Sequence, residues 1–262
     1  MSYERIKLEF EGNVAVLRFN HPEVLNAIGA QMVGEIADAI AEIEDPGNGA
    51  RCLLITGEGR AFCSGANLAD SGREQRSGGA RGMLRGNYHP ILCALRDLEM
   101  PIVSAVHGAA AGVGMSFAIM ADIVCASKEG YFLQAFARIG LVPDGGATFL
   151  LPRLVGWGRA AELTLLAEKL PAEKALEWGL VNRVYDDQES LMEGAMEMAQ
   201  RLANGPRSLA LIRRALWATW QHAYEQQLDL EARLQGEASR SEDAREGGLA
   251  FLEKRKPDFK GR

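Results

Sequence analysis

The sequence predicts an α/β fold with largely parallel strands and a helical C-terminal region. Short β-patterned runs alternate with stretches of helical periodicity up to about residue 187, the pattern of strands joined by crossover helices. Beyond that point only helical patterns follow. Hydrophobic residues make up 47% and charged residues 24% of the 262 positions, an ordinary globular composition that argues against disorder. A chain of this length buries enough surface to need no covalent staples. We divide it into a core over 1–190 and a helical region over 191–262. The change of character falls between 187 and 206, where Gly205-Pro206 punctuates the chain.

Residues 6–10 and 14–19 alternate apolar and polar around Gly12-Asn13, which predicts a β-hairpin. Residues 27–43 carry Met32, Ile36, Ile40 and Ile43 at helical spacing. Residues 52–55 form a short apolar run ending at Gly57; 102–106, 123–126 and 180–184 are further buried strands. Helical patterns lie at 80–98, 113–121, 146–154, 159–168 and 172–178, then at 191–202, 208–221 and 225–234. Residues 71–85 are rich in Gly, Ser and Arg and poor in apolar side chains, so they read as a surface loop or as a lid over a ligand.

Acids outnumber bases 35 to 29, giving a formal net charge of −6 and a pI near 5.4. That balance argues against a nucleic-acid partner, which calls for a basic face. No apolar run approaches the roughly 18 residues of a membrane span. Four scattered cysteines without a CxxC pair read as reduced thiols. No basic-then-apolar leader opens the sequence, so a cytoplasmic chain is expected.

Metal chemistry is not expected: the four histidines are far apart and no HExxH or Cys/His cluster is present. A Walker-type loop is missing too. GAAAGVG at 108–114 has Phe117 where a dinucleotide fingerprint needs its third glycine. Cys63-Ser64 lacks the G-x-S-x-G elbow and fits a tight turn better than a nucleophile. Two glycine segments, AFCSGANL at 61–68 and GAAAGVG at 108–114, follow the carboxyl ends of expected parallel strands, where α/β sheets place ligands. Their backbone N–H groups could converge on one oxygen as an oxyanion hole. In VPDGGAT at 142–148, Asp144 is either the N-cap of the next helix or a carboxylate raised into the range of a general base.

Read in order, NHPEVLNAI (20–28), GRAFCSGANL (59–68), VHGAAAGVGMSFAIMADIVCAS (106–127), FARIGLVPDGGATFLLPRLVG (136–156), KALEWGLVNRV (174–184) and FLEKRKPDF (251–259) resemble the enoyl-CoA hydratase/isomerase (crotonase) superfamily over essentially the whole chain. The resemblance implies a crotonase-like spiral of ββα turns with a C-terminal helical trimerisation region, assembled as a homotrimer or dimer of trimers. It implies an acyl-CoA thioester substrate and no separate cofactor, coenzyme A being part of the substrate. By position, the oxyanion N–H groups fall on Ala66 and Val113. Leu25 and Ala27 fall in the loop beside CoA, Asn67 and Leu68 on its adenine and pantetheine side, and Phe251 and Lys254 on the C-terminal pair that reaches CoA, often from a neighbouring subunit. Gly112 and Phe136 join the substrate-contacting set. With Arg255 and Lys256, Lys254 would supply local attraction for the anionic CoA.

The two glutamates that hold water in hydratases of the family correspond here to Ser116 and Phe136, while Asp144 stands in the VPD turn. That pattern resembles the isomerase branch, most of all the ring-epoxide and enoyl isomerases of phenylacetyl-CoA degradation. It implies a single-carboxylate proton shuttle by Asp144. The alternatives are a hydratase with a substitute acid and base, aryl-CoA dehalogenase-like chemistry with Asp144 as nucleophile and Cys93 where that branch has its His, and a non-catalytic acyl-CoA-binding subunit.

Overall fold

The computed structural model describes residues 3–68 and 79–262. Its strands are β1 (Ile6–Glu11), β2 (Val14–Phe19), β3 (Cys52–Gly57), β4 (Ile102–Val106), β5 (Ala109–Ala111), β6 (Ile123–Ser127), β7 (Tyr131–Leu133), β8 (Leu170–Pro171) and β9 (Arg183–Tyr185). The α-helices are α1 (Ala30–Glu44), α2 (His89–Asp97), α3 (Val113–Ile119), α4 (Ala147–Val155), α5 (Trp157–Leu165), α6 (Ala172–Glu177), α7 (Gln188–Ala203), α8 (Ser208–Ala218), α9 (Tyr224–Ala238) and α10 (Glu242–Glu253). A shorter helical run, Gly79–Met83, leads through a π-helical turn, Leu84–Tyr88, into α2.

The main sheet has the order β1-β2-β3-β4-β6-β9. Its first pair is the expected hairpin, with Ile6 opposite Phe19 and Glu11 opposite Val14. Every other pair is parallel. β3 and β4 are buried at every position, as strands covered on both faces must be, and this is why they read as continuous apolar runs. On one face Phe19 meets Phe62 and Phe117 edge-on, with ring centroids 5.4 and 5.7 Å apart, and α1 adds Met32, Ile36, Ile40 and Ile43.

The other face is covered by α7. Leu191, Ala195, Ala199 and Ala203 recur at the i, i+4 spacing of one helical stripe and pack on Val16, Leu54, Val103 and Cys125. Alanines let the helix lie close to the sheet, and the buried Leu191 side chain contributes about 2 kcal/mol. A capping box starts this helix: Asp187 Oδ1 accepts from the Ser190 N–H at 2.8 Å, and Ser190 Oγ accepts from the Asp187 N–H at 3.2 Å. The sheet-covering stripe therefore runs to Ala203, and beyond Gly205-Pro206 the side chains of Trp217 and Trp220 still pack against the main core.

A second, three-stranded sheet, β5-β7-β8, branches from the end of β4 and was not anticipated. The strand expected at 180–184 begins only at Arg183. Asn182 instead pairs with Val124 through its own N–H and its side-chain Oδ1, both at 2.8 Å, while Leu180 and Val181 are buried before it. Within the expected 71–85 loop, residues 79–85 are helical rather than loop. Residues 71–78, and with them the lid expectation, lie outside the described residues. The last helix, α10, was also not anticipated.

Candidate active site

The two glycine segments meet behind the sheet's carboxyl edge. Cys63 and Ala110 form a parallel bridge, the Cys63 N–H reaching the Ala109 oxygen at 2.8 Å and the Ala111 N–H the Cys63 oxygen at 2.9 Å. A Cβ on Gly65 would come within 3.0 Å of the Ala111 carbonyl, at a φ of +109° that side chains rarely adopt, so only glycine lets the backbones touch here. Ile28 and Ala66 form a second bridge, through Ile28 N–H to Gly65 O at 2.8 Å and Asn67 N–H to Ile28 O at 2.9 Å. Strand alternation then turns the N–H of Ala66 away from Ile28. Val113 opens α3, where an N–H has no acceptor within its own helix. Among the described residues, neither of these two N–H groups donates to any protein acceptor. Two unpaired donors at the ends of touching segments can serve one oxygen.

The loop carrying Leu25 and Ala27 is held against this junction by Asn26, which sequence reasoning did not single out. Asn26 is fully buried. Its Oδ1 accepts from the His21 N–H at 2.8 Å, and its Nδ2 donates to Glu58 O at 2.9 Å and Ala61 O at 2.7 Å. Leu25 and Asn26 both take left-handed conformations, and the Leu25 carbonyl accepts from the Ser64 N–H at 2.9 Å. The signal in the sequence was an Asn inside a turn, a residue type that tolerates φ > 0. Nothing local showed that its side chain would tie this loop to the turn at 58–62.

Asp144 does not cap the following helix: the residue at that position is Gly146, and no side chain caps it. Two bonds hold the Asp144 backbone carbonyl instead, from the Ala147 N–H at 3.1 Å and the Ser116 hydroxyl at 3.0 Å. Its side-chain Oδ1 is buried without a hydrogen-bond partner. Burial raises the carboxyl to about 6, and no charged neighbour among the described residues contributes to the shift. Phe136, 8% exposed, lays its ring beside Gly112, where a Cβ would stand 3.7 Å from the ring's Cζ. An apolar ring thus borders the segment that presents the Val113 N–H.

The enoyl-CoA hydratase/isomerase family model matches residues 9–262. The chain belongs to the enoyl-CoA hydratase/isomerase family. Across its full length, and the full length of that protein, it is 43% identical to a Rhodobacter capsulatus protein named probable enoyl-CoA hydratase. It is 40% identical to the 1,2-epoxyphenylacetyl-CoA isomerase of Escherichia coli, with 99% of each chain covered. A crystal structure of an enoyl-CoA hydratase/isomerase from Cupriavidus metallidurans superposes with a TM-score of 0.91 at 33% identity, covering 100% of this chain and 98% of that one.

Other predicted positions of this enoyl-CoA hydratase/isomerase family member lie at the surface of the single chain. Leu68 is 62% exposed. Phe251, 84% exposed, and Lys254 lie at the end of α10, where Lys254 takes a left-handed conformation that ends the helix. Arg255 is not available as a free cation beside Lys254, because its guanidinium is bound to Glu246 and Glu253. A cavity of about 830 Å³ opens between α2 and α8 and reaches Gly145 and Gly146, next to the Asp144 turn. It does not include Ala66 or Val113. Among the described residues, no cluster of three or more His, Cys, Asp or Glu side chains is placed to hold a metal ion, and no helix is long and apolar enough to cross a membrane.

Proposed function

We propose that this family member is an enoyl-CoA isomerase with Asp144 as its single proton carrier. The observation that carries the reading is the Asp144 carboxylate: half-buried, with Oδ1 unpartnered, raised to about 6 by burial, and without a charged neighbour among the described residues. In the forward direction the ionised carboxylate takes a C2 proton from a 3-enoyl-CoA. The electron pair moves into a dienolate whose charge gathers on the thioester oxygen, and the N–H groups of Ala66 and Val113 bind that oxygen. The protonated carboxyl then returns the proton to C4, leaving the double bond between C2 and C3. One base suffices because the proton never leaves the site. Each oxyanion donor in such a site is worth roughly 10²–10³ in rate, so the pair contributes more than the base alone. Rearrangement of a ring epoxide, the activity named for the E. coli relative, draws on the same enolate stabilisation.

Hydration needs a second acid or base to handle water. Ser116 and Phe136 stand where the family resemblance puts hydratase glutamates; Phe136 excludes water and Ser116 is engaged with the Asp144 carbonyl. Leu25, Ala27, Asn67 and Leu68 are read as the CoA side of the site, with Phe251 and Lys254 completing it from a neighbouring subunit of a homotrimer or dimer of trimers. The exposed Ile212, Leu216, Leu249 and Leu252 support burial of the C-terminal helices against other subunits. Four unpaired cysteines, three of them buried, support a reducing, cytoplasmic setting.

The deciding experiment incubates the protein with 3-enoyl-CoA and 2-enoyl-CoA substrates and resolves products by mass spectrometry. Conversion at constant mass supports the isomerase. A product heavier by one water, formed at comparable rate from the 2-enoyl thioester, refutes it in favour of the hydratase.

A further inference from the structure

Cys63 is fully buried between the two glycine segments. Its Sγ accepts from the Gly65 N–H at 3.4 Å, which holds the residue just before Ala66. On its other side the same side chain fills the space that a substituent on Gly114 would need. A Cβ there would stand 2.6 Å from Cys63 Sγ and 2.8 Å from Cys63 Cβ. Gly114 is the residue just after Val113. One side chain therefore packs against a neighbour of each unpaired donor. A second contact joins the same two segments, since a Cβ on Gly112 would lie 3.7 Å from Gly65 Cα. Close-packed interiors pass on a change of a single atom, so the size of the group at 63 is felt at both segments. The thiol has no evident chemistry of its own: burial pushes it up to about 12, and a nucleophile needs the thiolate.

We propose that Cys63 is a positioning residue for the oxyanion hole, its side chain packed against Gly114 and bonded to Gly65 so that it sets the spacing of the Ala66 and Val113 N–H groups. The inference rests on the reading of those two groups as donors to the thioester oxygen. Alanine at 63 leaves the Gly65 N–H without its acceptor and removes the atom on which Gly114 rests, so the two donors lose their common reference. Serine keeps an acceptor for Gly65, but its shorter C–O bond reaches less far toward Gly114. Charge gathers on the oxygen in the transition state more than in the bound ground state, so a misplaced donor pair lowers kcat and leaves KM nearly unchanged.

The test reads the thioester carbonyl itself. Butanoyl-CoA is saturated and cannot isomerise, so it stays intact when bound. Isotope-edited infrared spectroscopy follows its carbonyl stretch, which two N–H donors lower relative to the free thioester. The wild type is expected to lower the band most, Cys63→Ala least, with Cys63→Ser between them. In the same order kcat with a 3-enoyl-CoA is expected to fall, by about tenfold or more for Cys63→Ala, with KM within roughly twofold of the wild type. A carbonyl band that both variants lower as far as the wild type does would overturn the inference, even where kcat falls, because the loss then arises elsewhere. A loss confined to KM would overturn it too. If Cys63→Ala does not fold, Cys63→Ser decides alone, and a band at the wild-type position counts against the role. The wild type separates this inference from the reading beneath it. No lowering of the band in the wild type removes Ala66 and Val113 as donors, and the inference with them; lowering that neither variant changes removes only the role of Cys63.

Discussion

The hydroxyl of Ser116 donates to the backbone carbonyl of Asp144 at 3.0 Å, across 28 residues of sequence. The same side chain crowds Gly145: a Cβ added there would lie 2.8 Å from Ser116 Cβ and Oγ, at a φ of +62°. Ser116 is thus a clamp on the Asp144 turn. Ser116→Ala is expected to cost about 1 kcal/mol of stability and, with Asp144 as the proposed proton carrier, to lower kcat by roughly tenfold with KM little changed, since that carboxylate loses its fixed position. Steady-state kinetics with a 3-enoyl-CoA checks this; a loss confined to KM would count against the clamp.

Gly145→Ala tests the same contact from the other side. The new methyl meets Ser116 inside normal contact distance and adopts a left-handed backbone that costs about 1 kcal/mol on its own. A larger kcat loss than that of Ser116→Ala is expected, together with partial recovery in the Gly145→Ala/Ser116→Gly double variant. Strictly additive effects would show that the two residues do not act on one turn.

Asp144→Asn removes the proposed proton carrier and, on that reading, is expected to reduce isomerisation by at least about 10³ while binding of a saturated acyl-CoA survives. On the proposed mechanism the Asp144 carboxylate must be ionised in the wild type. With a carboxyl raised to about 6, kcat/KM rises with pH through that value and is flat above it, falling about tenfold per pH unit well below. A profile with no inflection between pH 5 and 7 would remove Asp144 from the chemistry.

The same raised carboxyl has a signed effect on stability. A folded-state value of about 6 against an ordinary 3.8 means that the folded protein holds the proton more tightly than the unfolded chain. The stability it contributes is complete below about pH 3.8 and is lost as pH rises through 6, so the ionised group strains the fold at neutral pH. Allowing for solvent screening of a partly exposed side chain, Asp144→Asn should gain on the order of 1 kcal/mol at pH 8 and little near pH 4. Urea denaturation at the two pH values measures the difference.

Much of this was legible because strong local signals coincide with the fold. The β1–β2 hairpin, β3, β4 and α1 follow from alternation, continuous burial and helical spacing, and the turn that carries Asp144 ahead of a helix follows from VPDGGAT. β5, β7 and β8 were not legible: two or three residues such as Ala109–Ala111 carry no period, and they become strands only because their neighbours arrive from elsewhere. The capping expectation for Asp144 failed for a related reason. A helix start looks alike whether its acidic residue turns back to the backbone or is pinned through its own carbonyl by Ser116, and that choice depends on contacts 28 residues away.

Asn26 is expected to matter more than its place in a loop suggests. Asn26→Asp keeps an acceptor for the His21 N–H and loses both donors, leaving the Glu58 and Ala61 carbonyls unpaired, the latter fully buried. A cost of about 2–4 kcal/mol follows. Because the loop it anchors carries Leu25 and Ala27, KM for acyl-CoA should rise more than kcat falls. The opposite split would place its role at the reacting centre instead.

Arg213→Met should be among the most damaging single changes in the chain. The guanidinium satisfies the Leu95, Arg96 and Leu98 carbonyls and both oxygens of Asp122, at 3.0 and 2.7 Å. Asp122 also accepts the Ile102 N–H at 2.7 Å, fixing the start of β4. Burial already holds the Asp122 carboxyl above its ordinary value, despite the opposing pull of Arg213. Without the arginine the carboxylate stays buried and uncompensated, and breaking such a pair costs about 3–5 kcal/mol. The sign of the pH dependence identifies the source. A carboxyl pushed further up binds its proton more tightly when folded, so its contribution is complete at low pH and lost as pH rises. The variant's deficit in urea denaturation should therefore be smaller at pH 5 than at pH 8, and adding Asp122→Asn should recover part of it at pH 8. An equal deficit at both pH values would assign the loss to the three α2 carbonyls alone.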